Sequence, residues 1–458
     1  MRKRVSVIVG DREAGRDARE RIVLHDAAGK SPLATGPYPD KVTCRPTAEL
    51  KLNSATTRRA HPIVYLVLCI PFGAAGGYVA VTLVYLLAQA GVSVAAIAGL
   101  LAISLLPQTW KALWAPIVDT TLTSKRWYLL GAGASAVTLA IVGSVPPVRA
   151  MLPTITALVF VNSVALSFLG MAAENLMAHG TDHGEKGRAG GWYQAGNLGG
   201  AGVGGGAALW MAQHVGIVWL PGACIAALFL ACCLGLRFVS EPAAPHRQMR
   251  YVESVRELVL DVWRVARSRA GWLALLICFL PIGSGAASGL WSAIAGDWGA
   301  SGDVVALVNG VAGGIVAALG CVIGGYLCDR MDRKFAYALF GVFLAAGALA
   351  MAFAARSVAM FVVFTLLYSF VQGLNYASFS AVVLEAIGRG AAATKYNLFA
   401  SLSNMPIAYM TILDGWAYGR WHADGLLAVD GLIGLGAVAF FAAVNVATRP
   451  RAGVLAAS

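Results

Sequence analysis

The sequence predicts an all-α, polytopic membrane protein, with twelve transmembrane helices in two six-helix halves. Three observations predict it. Apolar residues fill 58% of the 458 positions and charged residues only 13%, about half the charge of a soluble domain. Apolar stretches recur from Ile63 onward, each near the roughly 20 residues that cross a bilayer as helix. Threaded alternately through a membrane, these stretches put thirty-two of the 35 Lys and Arg residues on one side, as the bias of basic residues toward the cytoplasm demands. Helix is the state each stretch must adopt, because an open strand leaves backbone groups unpaired in lipid.

The elements follow in order. Residues 1–60 carry 13 basic and 7 acidic residues without a sustained apolar period, and read as a disordered cytoplasmic tail. Spans at 63–89, 93–116, 127–145, 151–177, 190–213 and 215–238 make an N-terminal half over 61–239. Residues 240–270 are a cytoplasmic linker. Within it Tyr251, Val252, Val255, Leu258, Val259, Val262 and Ala266 share one helical face, opposite a face of Arg and Glu. That pattern reads as an amphipathic helix on the inner membrane surface. Spans at 271–296, 303–328, 335–355, 357–386, 394–415 and 425–447 make a C-terminal half over 271–448, before a cytoplasmic tail at 449–458. Both ends of the chain are expected in the cytoplasm. Arg149, Arg356 and Arg420 are the basic residues left outside.

Composition also excludes functions. The net charge of +12 would suit nucleic acid only if it clustered on a soluble face; here it marks loops between apolar runs. The eight cysteines include no C-x-x-C pair and read as small apolar filler. No H-E-x-x-H, P-loop or pair of central carboxylates points to an enzyme. Gly200-x-Gly202-x-x-Gly205 fits a dinucleotide fingerprint formally, but it lies inside a span, where close helix packing is the expected use. His179, Asp182 and His183 form a loop cluster without an evident third strong metal ligand. Neither a cofactor nor a metal is expected.

The two halves repeat one another. Pro71-Phe72-Gly73 matches Pro281-Ile282-Gly283 at an offset of 210 residues. Asp119 matches Asp329 at 210, and Glu174 matches Glu385 at 211. Parallel six-span halves of this kind resemble the major facilitator superfamily. The string Gly325-Tyr-Leu-Cys-Asp329-Arg330-Met-Asp-Arg333-Lys334 is similar to its cytoplasmic-loop signature. The first-half copy, Ala115-Pro116-Ile-Val-Asp119-Thr120, is degenerate. The glycine of the signature allows close helix approach, and its charges can pair across the inner rim. Asp119, Glu174, Gly325, Asp329, Arg330, Arg333 and Glu385 are therefore the expected gating set; charge that merely sets topology at tight turns is the other reading.

A narrower resemblance lies in residues 70–119. Ile70-Pro71-Phe72-Gly73, followed by Leu106-Pro107-Gln-Thr-Trp110-Lys111-Ala-Leu113-Trp114-Ala115-Pro116-Ile-Val-Asp119, resembles the branch holding AmpG-like muropeptide permeases, acetyl-coenzyme A transporters and siderophore permeases. Thr120 stands where that branch carries arginine, and Ala173-Glu174-Asn175-Leu176 replaces the Asp-Ala-Trp-like string of the muropeptide type. The departures turn the expectation toward a siderophore-like or other medium-sized metabolite.

Transporters of this architecture bind substrate between the halves near the midplane. Tyr78, Thr82 and Tyr85 lie on one face of the first span, and Tyr368, Gln372 and Asn375 on one face of the tenth. With Asn162, Ser288 and Trp291 they are the expected substrate-cavity residues; hydrogen bonding between helices is the alternative use of each. Pro71, Gly73, Pro281 and Gly283 are the expected hinges, with plain packing as the alternative. The resemblance implies protons as coupling ion, but no carboxylate stands at the centre of a span, and Glu174 and Asp414 are the nominated carriers. Lys111 is expected to snorkel to the inner surface. The resulting expectation is a monomeric secondary active transporter of a small-molecule substrate in the inner membrane bilayer. A transporter-fold sensor that does not transport is the alternative, and a membrane-embedded enzyme ranks behind it.

Overall fold

The computed structural model describes residues 61–181, 186–241, 251–328, 330–387 and 398–448. The expected tails at 1–60 and 449–458 lie outside these residues, as do 242–250 of the linker. The described residues are helical with short connections. In order they form α1 (Ile63–Gln89), α2 (Val94–Thr120), α3 (Ser124–Ser144), α4 (Leu152–Gly180), α5 (186–214) and α6 (Leu220–Phe238). A linker helix α7 (Tyr251–Arg267) precedes α8 (Arg269–Phe279, resumed over 286–298), α9 (Gly302–Cys328), α10 (Arg333–Phe353), α11 (Val358–Ile387), α12 (398–420) and α13 (423–447). Among the described residues, nine helices are long and apolar enough to cross a membrane when α12 and α13 are taken as one. Two interrupted rods, α5 and α8, add to these, an arrangement consistent with twelve spans.

Local chemistry sets several boundaries. The side chains of Ser93, Thr123 and Asp332 accept hydrogen bonds from the backbone N–H three residues on, satisfying donors that open α2, α3 and α10. Two expected boundaries are corrected. The seventh span is not one helix over 271–296: it stops at Phe279 and resumes at Ala286. The eleventh span does not end at 415. Helix continues to Arg420 and turns into α13 through Trp421 and His422, whose φ of 55° makes it the described non-glycine residue in the left-handed region.

Glycines set how closely the rods meet. A Cβ at Gly73 would stand 1.9 Å from the Asn197 carbonyl oxygen, and one at Gly204 would stand 1.9 Å from that of Ala74. The glycine-rich string of α5 is thus the seam against α1, the packing use expected of it. In the second half, Gly320 and Gly373 bring α9 and α11 together in the same way: a Cβ at either would stand 2.1 Å from a partner carbonyl oxygen. On α9 the opposite stripe, Leu307, Val311, Ile315, Leu319, Val322 and Tyr326, is exposed at helical spacing and suits lipid.

The end bearing Lys125, Arg126, Arg333 and Lys334 is termed the basic end. Away from it the two halves close on each other. A Cβ at Gly415 of α12 would lie 2.3 Å from that of Ala98 in α2, and one at Gly310 of α9 would lie 2.6 Å from the Cα of Gly206 in α5. In the linker helix, Val252, Val259 and Trp263 are exposed, with the Arg267 guanidinium 5.1 Å from the Trp263 ring.

Candidate functional site

The break in α8 organises the polar interior of the second half. Pro281 brings no N–H to a helix, and Gly283 and Gly285 take φ of 60° and 69°, which glycine adopts without strain. The break frees carbonyl oxygens that a helix would have used, and three helices supply donors. Tyr337 of α10 donates to Ile282 O at 2.9 Å. Asn375 of α11 donates to Ile282 O at 3.2 Å and Gly283 O at 2.9 Å. Tyr409 of α12 donates to Phe279 O at 2.9 Å. Gln372 packs onto Gly285, so closely that a Cβ there would meet its amide nitrogen at 2.0 Å. A cavity of about 50 Å³ sits here, lined by Gly283, Ser284, Asn375, Tyr376 and Phe379 among others. It holds water-sized guests; a metabolite needs several hundred Å³. This is a conformation closed around the break.

A second polar layer lies further from the basic end. Tyr368 is buried, meets Trp291 edge-on at 5.3 Å and donates to Asp430 Oδ2 at 3.1 Å. Asp414 is wholly buried, and among the described residues no donor reaches either of its carboxylate oxygens. Its charge lies within electrostatic reach of Asp430. Asp414, nominated from the sequence near the outer end of its span, thus has a second buried carboxylate, Asp430, for company. Because α12 runs to Arg420, Asp414 sits six residues inside it, and Asp430 sits at a matching depth in α13. Beyond them Tyr418 donates to Asp297 Oδ1 at 3.1 Å, Arg356 pairs with Asp424, and the Arg356 guanidinium stands 4.2 Å from the Trp298 ring.

The other expected cavity residues are spread more widely. In α1, Tyr78 and Tyr85 are buried around a wide turn over Tyr78–Leu83. Thr82 donates to Gly205 O at 2.9 Å, so its hydroxyl joins α1 to α5. Asn162 accepts from Thr138 at 3.2 Å, joining α4 to α3. Ser288 closes a local turn on Gly285 O at 2.6 Å. These hydroxyls and amides serve helix packing, while Trp291, Tyr368, Gln372 and Asn375 gather on the α8–α11 side.

The residues expected to gate form two separate groups at the basic end. Lys111 Nζ lies 3.2 Å from Glu174 Oε1, and both are largely buried. The lysine is paired inside the first half and does not snorkel, which corrects that expectation; among the described residues Glu174 Oε2 has no hydrogen-bond partner. In the second half Arg333 and Lys334 lie 3.5 and 3.6 Å from Glu385, and Arg330 stands 4.7 Å from the Tyr326 ring. Asp329 and the side chain of Asp119 lie outside the described residues. Gly325 does not serve close approach, since a Cβ there meets nothing within 4 Å; its neighbour Gly324 does, against Leu374 of α11. The hinge pairs also differ. Pro71 lies within continuous helix and Gly73 is a packing contact, whereas Pro281 and Gly283 lie in a true break. His179 bonds to the Asn175 carbonyl oxygen, and Asp182 and His183 lie outside the described residues.

Sequence reasoning missed Asp430, Tyr337 and Tyr409. An acidic residue inside the 425–447 apolar run was the available signal for Asp430. The tyrosines carried none, because their roles depend on carbonyls freed by a break elsewhere.

Two packed sets of apolar helices, with a broken helix and buried polar groups between layers of apolar side chains, define a multi-pass membrane protein. A family model described as Major Facilitator Superfamily matches residues 63–404, and the chain belongs to that family. Solved structures share the fold. A D-xylose–proton symporter aligns with a TM-score of 0.63 at 14% identity, covering 83% of this chain and 96% of that one. The nucleoside transporter NupG aligns at 0.64 and 14%, covering 83% and 98%. A POT family transporter in complex with a thioalcohol-conjugated peptide aligns at 0.65 and 10%, covering 84% and 96%. A search of curated protein sequences finds no match.

Proposed function

We propose that this transporter is a secondary active carrier that moves a small or medium-sized metabolite by alternating access, driven by protons. The single observation that carries the reading is the broken α8: a rod interrupted at Pro281–Gly285 whose freed carbonyls are held by side chains of α10, α11 and α12. Such a rod can change shape by exchanging a few hydrogen bonds, and interrupted helices commonly form the substrate site in transporters. The small cavity beside it is the closed form of that site. The two six-helix halves would rock about it, with both chain ends and the linker in the cytoplasm and the inner membrane as location. Thirty-two basic residues on one side support that orientation.

A neutral, aromatic and amide-rich lining suits an uncharged or internally compensated ligand. Together with the string ending at Asp119, it supports a siderophore-like substrate, with a muropeptide next. The test is a thermal-shift screen of siderophores, muropeptides and acyl-coenzyme A compounds, followed by uptake in proteoliposomes with and without a pH gradient. Gradient-driven accumulation of a stabilising compound is the expected result. Specific binding with no accumulation under any gradient would establish a sensor instead.

A further inference from the structure

We propose that Asp414 of α12 and Asp430 of α13, with Tyr368 of α11, form a proton-binding carboxylate pair that couples proton movement to the break in α8; the coupling role rests on the proposed proton-driven transport. Both carboxylates are buried. Two ionised carboxylates within electrostatic reach of each other in a dry bundle are mutually destabilising, so such a pair retains a proton. The surroundings differ in a way that assigns it. Asp430 receives the Tyr368 hydroxyl, a bond that strengthens when its acceptor is charged. Among the described residues Asp414 receives no donor on either oxygen, which a neutral acid tolerates far better than a carboxylate. In this conformation Asp414 carries the proton and Asp430 the charge.

Among the described residues no other charge faces the pair from the packed helices. On α2, Lys111 is held by Glu174 at the basic end. On α8, Asp297 is bonded to Tyr418, and Arg269 reaches Asn445 near the basic end. Arg333, Lys334 and Glu385 pair with one another at the basic end of α10 and α11, and Tyr337 and Tyr409 bond to backbone carbonyls of the break. Tyr376 lines the cavity at the break, and Arg420 stands over the Trp416 ring. Arg356 and Asp424 pair beyond the carboxylates at the far end, and His422 packs edge-on to Tyr418 there.

The link to substrate is one aromatic contact. Trp291 lies on the far segment of α8, just past the break, and abuts Tyr368 edge-on. A change at Gly283–Gly285 therefore moves the residue that touches the Asp430 hydrogen-bond donor. Loss of the proton leaves two like charges within electrostatic reach of each other, which favours an arrangement exposing one of them to water.

Infrared difference spectroscopy on the protein reconstituted in lipid, titrated with acid and base, reads the protonated carboxyl band directly. The wild type and the exposed control Glu253→Gln should show a band from a buried protonated carboxyl at neutral pH. Asp414→Asn should remove it, and Tyr368→Phe should keep it while moving its loss to higher pH, because the charged partner loses its donor. A wild type without the band, or a band untouched by both Asp414→Asn and Asp430→Asn, overturns the proposal. A band that appears only when sodium is withdrawn also overturns it, in favour of a sodium site. Uptake of a siderophore that stabilises the protein is then measured under an imposed pH gradient. Abolished gradient dependence in Asp414→Asn supports the coupling role. A retained band with uptake indifferent to the gradient overturns coupled transport while leaving the protonated pair in place, so the two failures are distinguishable.

Discussion

Asn375 Nδ2 donates to both Ile282 O and Gly283 O, 3.2 and 2.9 Å away, across the gap between α11 and the broken α8. One amide thereby satisfies two consecutive carbonyls that the break had orphaned. Asn375→Ala removes both bonds; Ile282 O keeps the Tyr337 hydroxyl, while Gly283 O loses its donor, at a cost of about 1–3 kcal/mol. Thermal unfolding in detergent should show the loss. Asn375→Asp, which cannot donate when ionised, should do no better.

Gly73 and Gly76 lie one turn apart on α1 and should respond oppositely to alanine. A Cβ at Gly73 would collide with the Asn197 carbonyl oxygen at 1.9 Å, while one at Gly76 would meet nothing within 4 Å. Gly73→Ala should destabilise by about 1–3 kcal/mol through overpacking against α5. Gly76→Ala should be neutral or stabilise by roughly 0.5–1 kcal/mol, since alanine is the better helix former. Equal melting temperatures for the two variants would refute the seam.

The Lys111–Glu174 pair is largely buried, and among the described residues one carboxylate oxygen has no hydrogen-bond partner. Lys111→Met leaves a buried carboxylate uncompensated and should cost about 3 kcal/mol. Lys111→Met combined with Glu174→Leu should recover most of that loss. A double variant no more stable than the single would mean the two side chains act independently.

The Arg333–Lys334–Glu385 cluster is more exposed, so its contribution to stability should be small. Glu385→Gln should change unfolding by less than about 1 kcal/mol. If the cluster gates the basic end, the same substitution should change the labelling rate of a cysteine placed at Ser403 in the cavity lining. An unchanged rate would assign the charges to topology alone.

The sequence by itself determined the class of fold, the positions of most membrane rods and the glycine seam of α5. These rest on properties that each segment holds alone: an apolar run long enough to cross lipid, basic residues at alternate loops, and small residues spaced one turn apart. Arg333 and Glu385 were also legible as partners, because the repeat at 210–211 residues placed both beside the basic turn. Tertiary structure decided the rest. The run from Trp416 to Arg420 is too polar to count as span, yet it stays helical before the turn at Trp421 and His422, and that extension carries Asp414 inward to a depth matching Asp430. The polar residues of α1 and α11 look alike as sequence, but Thr82 bonds to Gly205 in a helix seam and Asn375 bonds to a broken helix. Which donor meets which freed carbonyl depends on how neighbouring rods are set against each other, and that packing is not written in the period of any single segment.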